Sequence, residues 1–144
     1  MSKELNPADV APPKRRGIIK WIVAALLLMF AAAAAINLPR GYSDDLSVIG
    51  KGKAAVVLVR DKNAVQTFEL LDAMNEVSEQ YSDKVEFLLV DFDTPQGRSF
   101  MEANNAARAT LVMFDNEGHF VKILKAPQSA SNLRQEISGS LGVN

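Results

Sequence analysis

The stretch KAAVVLVRDKNAVQTFELLDAMNEVSEQYSDKVEFLLVDFD, residues 53–93, decides the fold. Ala54 to Val59 is a continuous apolar run, rich in β-branched residues and without polar alternation, as in a strand buried on both faces. Such a strand needs cover on both sides of a sheet. Thr67 to Tyr81 follows, with Phe68, Leu71, Met74, Val77 and Tyr81 at three- and four-residue intervals and Glu69, Asp72, Asn75, Glu76 and Glu79 on the other side. That spacing predicts an amphipathic helix whose apolar stripe packs on the sheet. Lys84 to Asp93 reads as a second apolar strand, stopped by the turn residues Thr94, Pro95, Gln96 and Gly97. Strand, helix and strand in this order make a parallel βαβ unit.

Working outward, Arg98 to Ala107 is a shorter helix buried through Phe100 and Met101, and Thr110 to Phe114 is a third strand. Asp115 to Gly118 is a hairpin turn that returns as His119 to Lys125, where Phe120 alternates with Lys122 and Leu124 as in an antiparallel strand with a wetter outer face. Pro127 ends that strand. Ser129 or Ser131 caps a last helix, with Leu133, Ile137 and Leu141 on one face and Asn132, Gln135 and Glu136 toward water. On the other side, Tyr42 to Gly52 is a polar connector with a short strand at Leu46 to Ile49. The fold class is α/β, a three-layer sandwich with a mixed central sheet over residues 53–144, with 39–52 as linker. No internal repeat or glycine-rich phosphate loop interrupts it.

Composition narrows the chemistry. The chain has 144 residues, 16 basic and 17 acidic, with no cysteine and one histidine. Disulfides, thiolate nucleophiles, iron–sulfur clusters and cysteine zinc sites are excluded, and any metal would need carboxylates. No cofactor is implied. Residues 1–40 carry six basic and two acidic side chains, whereas residues 41–144 carry ten and fifteen. An acidic main domain lacks the basic footprint that nucleic acid requires, and nothing in the pattern points to a small-molecule substrate.

Residues 1–13, MSKELNPADVAPP, hold three prolines and little apolar content, so 1–16 reads as a disordered basic tail. Ile18 to Leu38 is uncharged except for Lys20, and at ~1.5 Å per residue it can cross a hydrocarbon core of about 30 Å. Residues 17–38 are therefore expected to form one spanning helix. Lys20 can snorkel to the headgroups, Trp21 sits where an interfacial aromatic belongs, and Pro39 and Gly41 stop the helix. Lys14, Arg15, Arg16 and Lys20 crowd one flank and Arg40 stands nearly alone on the other, which orients the N-terminus to the cytoplasm and the C-terminal domain to the periplasm of a bacterial inner membrane. In a eukaryotic secretory membrane the same domain would face a lumen. A cleavable signal peptide is the alternative, with Ile22 to Phe30 as its apolar region and A-x-A patterns in Ala31 to Ala35. Both readings export the domain. A buried core helix is a third reading, opposed by apolar residues on every face beside a basic cluster.

The β-α-β-α-β-β-α order with a tight last hairpin resembles the thioredoxin fold, and local sequence agrees. Glu76 to Asp93 (EVSEQYSDKVEFLLVDFD) is similar to the family's helix ending in acid and tyrosine, followed by a lysine and a strand closing in aspartate. Thr110 to Gly118 (TLVMFDNEG) resembles its threonine, apolar strand, phenylalanine and asparagine–glycine turn with one residue inserted. The likeness covers about residues 46 to 141. Where thioredoxins place two cysteines around glycine–proline, counting back from Tyr81 gives Ala64, Val65, Gln66 and Thr67. The family's buried acid corresponds to Arg60 or Asp61. Its cis-proline, which helps bind substrate backbone, corresponds to Ala109 in Arg108-Ala109-Thr110, and a non-proline cis bond costs about 2.5–4 kcal/mol.

The resemblance thus implies the family's core without its redox chemistry, and a degenerate groove at Ala64, Val65, Gln66, Thr67, Arg108 and Ala109 that either binds peptide or is an ordinary loop. Asp91 and Asp93, alternate residues on one strand face, either hold a cation or mark the strand end. His119 is expected to be solvent-exposed without a role, and Asp44 and Asp45 to be solvated. The acid run on the 67–81 helix is either a solvated face or a surface that steers a basic partner. The functional expectation is a redox-inactive, non-enzymatic, membrane-anchored binding or scaffold subunit whose partners are the bilayer and other membrane or periplasmic proteins. A holder of exported polypeptides, and an enzyme with a carboxylate cation site, are the alternatives.

Overall fold

β1, Ala54–Arg60, takes the centre of the sheet because no face of it can meet water: Ala54 to Val59 are buried throughout. In the computed structural model, which describes residues 15–37 and 41–144 and the side chains of 17–33 and 41–144, β1 pairs in parallel with β2 (Val85–Asp91) and antiparallel with β3 (Thr110–Phe114). A fourth strand, β4 (Phe120–Lys125), pairs antiparallel with β3, so the order is β2-β1-β3-β4. This is the mixed α/β sheet the sequence implies.

Alternate residues of β1 feed two cores. Val56 and Leu58 join Val85, Phe87, Leu111 and Met113 beneath α2 (Val65–Tyr81) and α4 (Ala130–Leu141). Val57 and Val59 join Leu88, Val90, Val112 and Phe114 on the opposite face, covered by Phe100 of α3 (Pro95–Asn104). The helices α3 and α4 start where the sequence supplies caps. Thr94 accepts from the Gly97 amide ahead of Pro95, and Ser129, not Ser131, accepts from Asn132.

Three expectations are corrected. Leu46 to Ile49 is not a strand: Leu46–Val48 is a 3-10 turn, because the Asp45 carboxylate accepts from both the amide and the hydroxyl of Ser47 and closes the chain locally. Leu46, Val48 and Ile49 then pack on the α3 side of the sheet. In α2, which starts two residues before the expected Thr67, Phe68 and Leu71 do not lead the buried stripe; Thr67, Leu70, Ala73, Met74, Val77 and Tyr81 do, and Phe68 is 54% exposed. The Thr67 hydroxyl accepts from the Asp61 amide and draws that position inward, which turns Phe68 outward. In β4, an irregularity between Met113 and Phe114 separates Phe120 from Leu124. Phe120 stacks edge-on to Phe114, whereas Leu124 enters the α2/α4 core.

From Gly41 the connector is laid against the sheet. Gly41–Asn144 is one compact unit and Met1–Arg40 another. Tyr42 packs near Phe87 and donates to Asn75 at 2.8 Å, Ser43 bridges to Leu88, and Gln96 donates to the Asp44 carbonyl.

In the first unit, α1 runs Arg15–Asn37, with Ile18, Trp21, Leu28 and Phe30 all exposed. The tail 1–13, Lys14 and residues 38–40 lie outside the described residues, as do the side chains of Arg15 and Arg16. The stretch Ile18 to Leu38, on which the spanning expectation rests, likewise runs past the last described side chain, Ala33. Among the described residues no helix is long and apolar enough to cross a membrane.

Gly97 marks the closest approach of α3 to the sheet: a Cβ there would lie 1.9 Å from the Asp91 carbonyl oxygen. Gly97→Ala is therefore expected to destabilise the fold by about 1–3 kcal/mol or more, read by urea unfolding, because backbone rather than a side chain must move. A variant of wild-type stability would show that α3 can shift freely.

Candidate functional site

The C-terminal ends of β1 and β2, with the start of α2, form the surface to which the resemblance points. Register sets Arg60 opposite Asp91 at the ends of the two parallel strands. The Arg60 guanidinium donates to both Asp91 carboxylate oxygens, with Nη2 to Oδ2 at 2.9 Å, and Lys62 Nζ lies 3.3 Å from Oδ2. The Arg60 hydrogen bonds hold the Asp91 carboxyl below the usual carboxylate range, against partial burial and with help from Lys62. Asp91 therefore serves a strand-end ion pair. Asp93 is exposed, and its carbonyl accepts from Arg98 at 2.6 Å. Of the two readings of Asp91 and Asp93, these contacts favour the strand end: two cationic side chains already occupy the Asp91 carboxylate.

Asp61 is buried and organises the turn into α2. Its carboxylate accepts from the Asn63 amide at 3.0 Å, its carbonyl accepts from Ala64, and its amide donates to Thr67. Ala64 occupies the cap position without a side-chain bond, and Val65, Gln66 and Thr67 form the first turn. Thr67 is buried, while Val65 is 67% exposed beside the exposed Phe68.

The segment before β3 is brought to the same loop. The Ala109 amide donates to the Val59 carbonyl at 2.9 Å, Arg108 Nη1 lies 3.6 Å from the Asp61 carboxylate, and the guanidinium sits 4.8 Å from the Phe92 ring centroid. The fold thus unites Arg108 and Ala109 with the residue that anchors the turn into Ala64 to Thr67. Ala109 adopts φ +52°, and the described cis peptide is at Ala126-Pro127. Sequence reading passed over Asp61 as an anchor and Phe92 as a stacking partner. The Asp-x-Asn spacing of 61–63 carried the first signal; the second depends on strand pairing alone. What this surface offers is apolar contact at Val65 and Phe68 and a guanidinium held in place at Arg108.

The other singled-out residues fall elsewhere. His119 is exposed but has partners: Nδ1 lies 3.2 Å from Asp115 Oδ2 and 3.5 Å from Glu117 Oε2. Asp45 is the cap of the 3-10 turn. Glu69, Asp72 and Glu76 of α2 line one wall of an open groove of about 470 Å³ whose other wall includes Gln128 to Ser131 and Arg134.

No protein-family model matches the chain, and no curated protein matches it. Solved structures do. An uncharacterised thioredoxin-like protein from Clostridium perfringens superposes with a TM-score of 0.58 at 16% identity, covering 65% of this chain and 74% of that one. Thioredoxin O2 from Arabidopsis thaliana in its oxidised state gives 0.52 at 18%, over 64% and 82%. A malarial protein gives 0.52 at 16%, over 62% and 98%. At these identities the likeness establishes the fold, which is thioredoxin-like.

Two outcomes test the site's construction. A carboxyl depressed by folding stabilises above its unfolded value, about 3.9, and loses that contribution as pH falls through the folded value. The stability gap between wild type and Asp91→Asn, measured by urea unfolding, is thus expected to hold steady near neutrality and to shrink below about pH 4. A gap independent of pH would show that the pair contributes nothing through charge. At Ala109, with φ +52° and a bonded amide, Gly should be neutral to stabilising by about 1 kcal/mol and Pro destabilising by more than that. Tolerance of Ala109→Pro at wild-type stability would overturn this.

Proposed function

We propose that the chain is a membrane-anchored protein whose thioredoxin-like domain works by binding rather than by redox chemistry, as an accessory or assembly subunit of a membrane or periplasmic complex. One observation carries the reading. At the fold's redox position the chain has Ala64, Val65, Gln66 and Thr67, with Val65 and Phe68 exposed and Arg108 stacked on Phe92 and paired with Asp61 at the same turn, in a sequence without cysteine. Thiol–disulfide exchange needs a thiolate, so what this surface can contribute is apolar and ionic contact.

The anchor is supported by α1, whose aliphatic and aromatic side chains Ile18, Trp21, Leu28 and Phe30 are exposed, and by the basic residues Lys14, Arg15, Arg16 and Lys20 beside it. An anchor of this polarity puts the domain on the periplasmic side of a bacterial inner membrane. Confinement to the bilayer raises the domain's effective concentration toward neighbouring membrane proteins, so a weak surface suffices for assembly.

The test is native-size analysis of the protein extracted from its own membranes in mild detergent, with mass spectrometry of co-migrating chains, for wild type and for Val65→Asp with Phe68→Asp. Recovery in a stoichiometric assembly with an intact N-terminal peptide, lost in the double variant while the domain stays folded by circular dichroism, is the expected result. A free monomer in both would overturn the subunit reading and favour transient holding of exported polypeptides. A mass beginning near Ile36 would make α1 a signal peptide.

A further inference from the structure

We propose that the tip of the β3–β4 hairpin binds a zinc-class divalent cation through Asp115, Glu117 and His119. Among the described residues these three are the metal-ligating side chains that converge, with their donor atoms all within 4.8 Å of one another. Alternate residues of one turn supply them, so the site lies within a single local segment and depends on no distant element for its donors.

The separations suit the ion. Bonds of about 2.0–2.1 Å in a tetrahedral shell place neighbouring donors roughly 3.3 Å apart. His119 Nδ1 stands 3.2 Å from Asp115 Oδ2 and 3.5 Å from Glu117 Oε2, on either side of that value. The donor set is one imidazole nitrogen with two carboxylate oxygens. An imidazole favours borderline first-row cations, whereas calcium and magnesium prefer all-oxygen shells.

Two of the chain's other carboxylates are already held by cationic side chains. Asp91 is neutralised by Arg60 and Lys62, and Glu136 by Lys122. Among the described residues, neither Asp115 nor Glu117 has a lysine or arginine ion-pair partner; Asp115 Oδ1 accepts from the Glu117 and His119 amides, which leaves Asp115 Oδ2 and Glu117 Oε2 facing the imidazole. Two carboxylates and one imidazole turned to one another offer a cation three donors.

The turn is also held from outside itself. A Cβ on Gly118 would meet the Gly50 Cα at 3.0 Å, and the Gly52 amide donates to the Asn116 carbonyl at 3.2 Å, so the connector that follows the 3-10 turn braces the tip. With His119 and Glu117 largely exposed, three protein donors leave a coordination position open to water or to a side chain of a docked protein.

The experiment uses the tag-free full chain in mild detergent and zinc chloride as the probe, with magnesium chloride as control. The chain has one histidine, so its imidazole proton resonances report His119 without ambiguity. Saturable one-to-one binding by calorimetry, zinc-dependent shifts of the His119 resonances and no response to magnesium are expected. His119→Ala and Glu117→Gln, neither of which removes a side-chain bond to the backbone, should each weaken zinc binding roughly tenfold or more at unchanged fold. Unmoved His119 resonances in a large excess of zinc, or calorimetric binding that survives both substitutions, would overturn the proposal and leave the contacts as an exposed imidazolium–carboxylate ion pair.

Discussion

The Gly41–Asn144 unit depends on one constraint: β1 is apolar on both faces and must be shielded on both. Val56, Val57, Leu58 and Val59 are each fully buried, and burying one such side chain contributes about 1.5–3 kcal/mol. Against a typical net stability of about 5–15 kcal/mol, no position of β1 can be left wet. The helix α2 and the helix α3 therefore go to opposite sides, β2 and β3 take both edges of β1, and what remains of the chain closes the two layers. Topology here is the consequence of a strand with no polar side.

That arrangement also fixes where the charges gather. Parallel strands β1 and β2 end together, so Arg60 and Asp91 meet at the same rim, and β3 starts beside β1 so that Arg108 reaches Asp61. The rim is the place where this fold can expose functional groups, since everything below it is core. In this chain the rim carries ion pairs, a stacked guanidinium and two exposed apolar side chains. Asp61 spends its amide, carbonyl and carboxylate on shaping the turn, which leaves the first turn of α2 to present Val65 and Phe68 outward.

The connector shows how a polar sequence acquires structure without a periodic pattern. Asp45 closes a 3-10 turn, and Leu46, Val48 and Ile49 reach the sheet from it. Gly50, at φ +80°, then passes so close to the hairpin that a Cβ would lie 2.9 Å from the Glu117 carbonyl oxygen. Both Gly50 and Gly118 thus answer to the same contact, one in the connector and one in the turn. Two segments far apart in sequence hold each other in place.

Periodicity and capping residues determined by themselves which stretches become β1, α2, β2, β3 and α4, because those signals are local: a residue's polarity and its neighbours three or four positions away suffice. Composition determined equally that no thiol chemistry is open to this chain, and the resemblance to thioredoxins pointed to Ala64 to Thr67 and Arg108-Ala109. Tertiary structure decided the rest. Thr67 rather than Phe68 faces inward because of a bond to Asp61, Phe120 leaves the face of Leu124 because the β3–β4 pairing is irregular, and Asp91 is taken by Arg60 because two strands are in register. His119 meets Asp115 and Glu117 only once the turn between them is folded. Each of these is a contact whose partner is chosen by the geometry of folding and not by spacing along the chain, and that is why polarity patterns alone leave it open.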